Sequence, residues 1–235
     1  MKKRLAGLAV GVACMSMVGA ANAQSLVVTH NTGTINSTQA LTGYATTGAM
    51  MDGMTVTAYF AGGGSETRAW TDLSATGGGV SGSMWSLSES GDTFSSNWSL
   101  ISTGAVISKL VIDAGRGDSV FDTTFIGDVT GTDGSARGAN FSISGANSWD
   151  IVATYQDTVA LTGQAPVGDL FRTLTIDFSR GAAFRSGSLA FLADTDNLRF
   201  AGDIRPSVPE PETYGMLMAG LGLIGAIARR RKQKA

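Results

Sequence analysis

The sequence predicts an all-β domain, a two-sheet sandwich of jelly-roll type, over residues 24–207. Short runs in this region alternate apolar and polar residues, and clusters of Gly, Ser, Asp and Asn separate the runs. No long stretch has helical periodicity. Alternation with a period of two places one face of each strand on a core and the other in water, so the runs favour strands packed in two layers.

Six runs are the predicted strands, at residues 25–30, 54–60, 109–114, 151–155, 170–178 and 189–193. The first is predicted to be an edge strand. In the clearest run, 170–178, the apolar residues Leu174, Ile176 and Phe178 alternate with polar ones. Three glycine-rich stretches, 61–64, 77–79 and 131–135, are predicted turns or loops, because glycine adopts positive φ freely.

The four tryptophans lie on or beside the predicted strands. A tryptophan here can anchor the core or form an exposed platform that stacks on sugars. We expect most of the four to be core residues, because a Gly-rich sandwich needs large side chains to fill it. They are Trp70, Trp85, Trp98 and Trp149.

Residues 1–23 form a predicted secretory signal peptide. Lys2, Lys3 and Arg4 precede an apolar stretch, and Ala21-Asn22-Ala23 is a small-x-small cleavage site before Gln24. The single cysteine, Cys14, lies in this segment. Cleavage therefore leaves an exported domain without cysteine.

The C-terminal segment, 208–235, has three parts in order. Val208-Pro209-Glu210-Pro211 is predicted to be extended, because each proline restricts itself and the residue before it. Residues 214–228 follow as an uncharged run of 15 with no polar face, and Arg229, Arg230 and Arg231 come next. The run is shorter than the roughly 20 residues of a comfortable membrane span, but the basic side chains can snorkel. We expect a membrane helix with its basic end in the cytoplasm.

This arrangement resembles the PEP-CTERM sorting signal of bacterial surface proteins processed by exosortase. The resemblance implies a Gram-negative host, cleavage by exosortase at the Pro-Glu-Pro segment and an inner-membrane-anchored precursor. It further implies delivery to the cell surface or the exopolysaccharide matrix. Stretches in the last third, such as Leu174–Phe178, also resemble β-rich domains of other exosortase-sorted proteins, for which no activity is established.

Charge and composition exclude several functions. Of the 17 basic residues, three lie in the signal peptide and five in the tail, so nine remain in the domain. Of the 19 acidic residues, two lie in the tail, so 17 remain. The domain therefore has a net charge near −8. Nucleic-acid binding requires the opposite sign. With one histidine, His30, and no cysteine, a Ser-His-Asp triad or a zinc site lacks parts. We therefore assign no catalytic residue.

Calcium is the one candidate cofactor. Asp194, Asp196 and Asn197 supply hard oxygen ligands at the opening spacing of an EF-hand loop, but Leu198 and Arg199 break that pattern. The alternative is a polar β-turn whose side chains bond their own backbone.

We expect a structural or interaction protein of the matrix that associates with carbohydrate and has no catalytic activity. The alternative is an exported glycan-acting enzyme that uses Asp carboxylates, since the only two domain glutamates, Glu66 and Glu89, fall in predicted loops. An enzyme needs a convergent pair of carboxylates in a cleft, whereas a matrix protein needs surface aromatic residues or none.

Overall fold

The computed structural model describes residues 25–43, 45–124, 131–135, 137–145 and 149–206, together with 220, 221 and 224. The predicted signal peptide lies outside these residues, and so does nearly all of the predicted membrane helix. Gly220, Leu221 and Ile224 are helical and exposed. In the described part of the chain, no helix combines the length and apolar character that crossing a bilayer requires.

The described residues contain strands and two short 3-10 turns. In chain order the elements are β1 (Leu26–Asn31), β2 (Asn36–Thr38), η1 (Gly48–Met50), β3 (Thr55–Phe60), β4 (Ser65–Ala69), β5 (Thr71–Asp72), β6 (Gly77–Ser81), β7 (Trp85–Ser90), β8 (Trp98–Ser102), β9 (Ile107–Asp113), η2 (Ala114–Gly117), β10 (Ser119–Asp122), β11 (Ser142–Ser144), β12 (Ile151–Leu161), β13 (Leu170–Asp177), β14 (Gly187–Leu192), β15 (Thr195–Asn197) and β16 (Arg205–Pro206). The predicted all-β class is confirmed.

The strands form two sheets. The first has the order β16-β2-β12-β13-β9-β3-β4, with β1 beside β12, and β10 pairing with β13 and β15. The second has the order β11-β14-β8-β7-β6-β5. Pairing is antiparallel except that β1 and β2 both run parallel to β12. The arrangement is sandwich-like, as predicted, and jelly-roll connectivity stays a prediction.

The main core contains inward-facing residues from both sheets. The alternation predicted for 54–60, 109–114, 151–155, 170–178 and 189–193 is confirmed, because its apolar members are buried, except that Phe60 is partly buried against the core. Trp70, Trp85 and Trp98 are also buried, and the Trp70 and Trp98 rings lie 5.2 Å apart. Trp149 is partly buried against the core. The tryptophans are therefore core residues, as expected, and three of them offer no surface platform.

The glycine triplet 77–79 is not a turn, and that prediction was wrong. It lies in β6 and is buried, paired with β5 and β7. A Cβ on Gly78 would lie 2.1 Å from Trp70 Nε1 and 2.3 Å from the Gly48 carbonyl oxygen. The glycines therefore let η1 and the Trp70 ring pack directly on the backbone of this strand.

The other predicted turns are present. Residues 61–64 connect β3 to β4, where Phe60 N donates to Gly64 O at 3.1 Å. Residues 131–135 form a turn in which Ser135 N donates to Thr132 O at 3.1 Å. Glu66 and Glu89, however, lie in β4 and β7 rather than in loops, which corrects that prediction.

Candidate functional site

A cavity of about 270 Å³ lies at the end of the sandwich where β7 ends and β8 begins. Three aspartates line it, Asp92, Asp194 and Asp196, together with Phe94 and Arg137. The Phe94 side chain is 48% exposed. The site therefore combines carboxylates, a guanidinium and an accessible aromatic ring, and we call it the Phe94 cavity.

Sheet pairing positions the two aspartates that the sequence singled out. Val120 in β10 pairs with Asp196 in β15, and Asp122 N donates to Asp194 O at 3.1 Å. Asp194 and Asp196 are two residues apart in this extended segment, so their side chains lie on the same side of it. The polar-turn interpretation of this segment was wrong, since residues 195–197 form a strand.

The Asp194 carboxyl group accepts two hydrogen bonds from neighbouring residues. Thr93 Oγ1 donates to Asp194 Oδ1 at 3.0 Å, and Thr195 N donates to the same oxygen at 2.8 Å. Burial raises the pKa of Asp194 to about 7, although both hydrogen bonds act in the opposite direction. The buried carboxyl therefore keeps its proton to a higher pH than an exposed aspartate does.

Asp122 and Asp196 share the hydroxyl of Ser135. Ser135 Oγ lies 2.9 Å from Asp122 Oδ2 and also contacts Asp196 Oδ2. Burial is the main cause that raises the pKa of Asp122 to about 9, with the charge of Asp196 next, and burial raises the pKa of Asp196 to about 7. A hydroxyl has one hydrogen to donate. Ser135 Oγ therefore bridges the two carboxyl groups, and its one hydrogen can serve only one of them at a time.

A further buried carboxylate anchors the loop that carries Ser135. Thr132 N donates to Asp169 Oδ2 at 2.6 Å, and Thr132 Oγ1 donates to Asp169 Oδ1 at 2.8 Å. The backbone also approaches the cluster closely: a Cβ on Gly43 would lie 2.0 Å from Asp196 Cγ, and one on Gly138 would lie 2.4 Å from Asp122 Cγ. Carboxylates thus fix the loop, and glycines make room for them.

The predicted calcium ligands do not converge on one point. Asp194 and Asp196 line the cavity, but Asn197 Oδ1 accepts from Thr46 Oγ1 at 2.8 Å, and Asn197 Nδ2 donates to Met50 O at 2.9 Å. Within the described residues, no group of three His, Cys, Asp or Glu side chains has the spacing of a metal site. Any calcium site here would need ligands beyond the three predicted.

A second, more open cavity of about 580 Å³ lies at the opposite end of the sandwich, where Phe60, Met84 and Val106 contribute apolar side chains. Its carboxylate, Glu66, accepts hydrogen bonds from Ser83 N at 3.1 Å, Ser83 Oγ at 3.0 Å, Trp85 Nε1 at 2.7 Å and Arg68. These bonds, above all the one from Ser83 N, lower the pKa of Glu66. Since its oxygens are fully engaged, Glu66 has a structural role.

Several residues of the Phe94 cavity and its surroundings were not predicted. Asp92 and Phe94 lie between β7 and β8, Asp122 ends β10, and Ser135 and Arg137 lie between β10 and β11. No local spacing connects them with Asp194. Only the sheet pairing of β10, β13 and β15 brings the buried carboxylates together.

The chain continues beyond the last strand of the β domain into the segment that the sequence singled out. A model of the PEP-CTERM protein-sorting motif matches residues 207–232, which include Val208, Pro209, Glu210, Pro211, Arg229, Arg230 and Arg231. The predicted resemblance is thereby confirmed. Neither the curated proteins nor the solved structures gave a match to the chain.

The motif supports an exosortase-sorted, exported surface protein and implies a membrane-anchored precursor. It implies processing by exosortase, a membrane enzyme. The matched residues lie beyond β16, so the motif does not describe the β domain.

Proposed function

We propose that the β domain is a non-catalytic component of the extracellular polysaccharide matrix and binds carbohydrate at the Phe94 cavity. The observation that carries this proposal is the half-exposed Phe94 ring beside a cavity lined by polar side chains. The apolar face of a sugar ring packs well on an aromatic ring, and its hydroxyls bond to carboxylate and guanidinium groups. A pocket with a few convergent polar groups is the usual form of a binding site.

The test compares two phenylalanines of equal exposure. Phe94 and Phe200 are 48% and 47% exposed, and Phe200 does not line the cavity. We expect Phe94→Ala to weaken binding of the host's exopolysaccharide by about fivefold, the loss expected for one aromatic contact of about 1 kcal/mol. Phe200→Ala should leave binding unchanged. Isothermal titration calorimetry measures both, and equal affinities for all three proteins would refute the proposed site.

The second candidate function, a glycan-acting enzyme, gains support from the same cavity. Asp92 and Asp194 both line it, and burial raises the pKa of Asp194 to about 7. A pair of carboxyl groups, one of them with a pKa raised by burial, is the arrangement that glycosidases use. Release of reducing ends from the matrix polysaccharide, abolished by Asp194→Asn, would replace the non-catalytic proposal.

The sorting signal supports a location for the β domain outside the inner membrane. The precursor is anchored transiently in the inner membrane, exosortase cuts it at Pro209–Pro211, and the β domain reaches the cell surface or the matrix. A net charge near −8 favours solubility of the mature domain during export.

A further inference from the structure

The N-terminal strand β1 is an unprotected edge of the first sheet. Among the described strands it pairs only with β12. Its sequence, Leu-Val-Val-Thr-His-Asn, contains no Lys, Asp, Glu, Arg or Pro. Edge strands normally carry such residues, because a free row of N–H and C=O groups recruits other strands.

The other described edges are protected. β4 carries Glu66 and Arg68, and β16 is two residues long and ends in Pro206. β5 and β11 have two and three residues, and β15 has three, including Asp196. At six residues, β1 is the longest edge strand in the described part of the chain. It has neither a charged residue, nor a proline, nor the short length that protects the other edge strands.

The register defines which backbone groups of β1 are free. Leu26 pairs with Ile151 in parallel, and Ile151 N donates to Ser25 O at 2.9 Å. In a parallel pair, one residue bonds to the two residues that precede and follow its partner in the register. The N–H and C=O groups of successive residues in a strand point alternately toward the neighbouring strand and away from it. Val27 and Thr29 therefore bond to β12, whereas Leu26, Val28 and His30 direct their N–H and C=O groups away from it.

These three outward residues are spaced symmetrically about Val28. In an antiparallel pair related by a two-fold axis, Val28 would face Val28 of the second copy, and Leu26 would face His30 of the second copy. All the outward N–H and C=O groups of both strands then find partners. The strands carry no side-chain charge, so this edge avoids the repulsion expected between two domains of net charge near −8.

We propose that two copies of the domain join through antiparallel pairing of their β1 strands, centred on Val28. The first sheet then continues from one copy into the next about a two-fold axis, the isologous contact typical of homodimers. Because the contact rests mainly on six main-chain hydrogen bonds, the dimer forms in a concentration-dependent equilibrium suited to crowding in a matrix.

Single cysteines test the register in the exported, processed protein. Cleavage of the signal peptide removes Cys14, the one native cysteine, so each variant carries one thiol. In the proposed pair the two Val28 Cα atoms lie about 5.5 Å apart, within disulfide reach. The two Val27 Cα atoms are diagonal neighbours, roughly 7–8 Å apart and beyond that reach.

We expect Val28→Cys to give a covalent dimer under mild oxidation, and Val27→Cys to remain monomeric. Equal cross-linking of the two would indicate random collision and overturn the proposal. Cross-linking of Val27→Cys alone would assign a different register and overturn it as well.

A matched pair of prolines tests the backbone bonds without relying on cysteine. Leu26→Pro removes an outward N–H, which suits an edge strand, whereas Val27→Pro removes an N–H that bonds to β12. We expect Leu26→Pro to shift the protein from dimer to monomer in sedimentation equilibrium and to keep its melting temperature. Val27→Pro should lower that temperature. A wild-type protein that stays monomeric at millimolar concentration, or a dimer that survives Leu26→Pro, would refute β1 pairing.

Discussion

Trp85 Nε1 donates a 2.7 Å hydrogen bond to Glu66 Oε2, and this bond joins the two sheets. Glu66 lies in β4 at the edge of the first sheet, and Trp85 begins β7 in the second. Ser83 adds two further donors to the same carboxylate. A single side chain thus fixes the end of the sandwich that holds the larger cavity.

Replacing Glu66 should separate this end of the sheets. We expect Glu66→Ala to lower the free energy of unfolding by about 2 kcal/mol, because it leaves the buried Trp85 N–H without its acceptor. Glu66→Gln keeps one acceptor oxygen and should lose less. Urea denaturation measures both variants, and an unchanged midpoint for Glu66→Ala would show that the bond contributes nothing.

Adding one methyl group to β6 should be far more damaging than adding one to the β3–β4 turn. A Cβ on Gly78 would clash with Trp70 Nε1 and the Gly48 carbonyl, whereas a Cβ on Gly62 meets no atom within 4 Å. We expect Gly78→Ala to cost about 3 kcal/mol through overpacking, and Gly62→Ala to be close to neutral. Equal melting temperatures for the two variants would contradict the packing described for β6.

Glu89 should make the domain less stable as pH rises. Its side chain is 2% exposed, and neither carboxylate oxygen has a hydrogen-bond partner among the described residues. Burial raises the pKa of Glu89 to about 8 from 4.5, the nearby Gly48 N–H lowers it in part, and the charge of Asp92 raises it further.

The sign of the effect follows from proton binding. Between pH 4.5 and 8 the unfolded chain has lost this proton and the folded domain keeps it, so stability falls through that window by at most about 1.4 kcal/mol per pH unit. Glu89→Gln should flatten the profile of unfolding free energy against pH and stabilise the domain at pH 8. An identical profile in the variant would place the pH dependence in the Asp122 cluster instead.

Calcium should leave the melting temperature unchanged. Asp194 Oδ1 and Asp196 Oδ2 already accept hydrogen bonds, and Asn197 is engaged with Thr46 and Met50. Differential scanning fluorimetry with millimolar calcium or with a chelator measures this. A calcium-dependent rise that Asp196→Asn removes and Asp177→Asn preserves would establish a site with ligands beyond the predicted three.

Processing should remove both ends of the chain. We expect the protein recovered from the medium to begin at Gln24 and to lack Arg229–Ala235, because the sorting motif implies processing by exosortase and we propose that the cut falls near Pro209. In a strain without exosortase, intact-mass measurement should find the tail retained in the membrane fraction. A tail retained in the presence of exosortase would make it a permanent anchor.

Local patterns explain what could be predicted. The alternation in 170–178 predicted β13 and its buried face, because a strand's period of two is set by its own backbone. The same logic failed for Gly77–Gly79, because glycine has no side chain that could show the alternation. These residues are strand because they pair with β5 and β7, and Gly78 leaves room for Trp70 and η1. The sequence also did not predict the burial of Glu89, because no local pattern indicates that its carboxyl group packs against Gly48.

The sequence by itself determined the all-β class, the main strands and the sorting motif, because periodicity and a short linear motif are local properties. The tertiary structure alone decided that Asp122, Asp194 and Asp196 meet around Ser135 and that Phe94 borders the cavity beside them. It also decided that the predicted edge strand β1 pairs with β12 in parallel. These features depend on which strands pair across long chain separations, and pairing follows from the packing of the whole core.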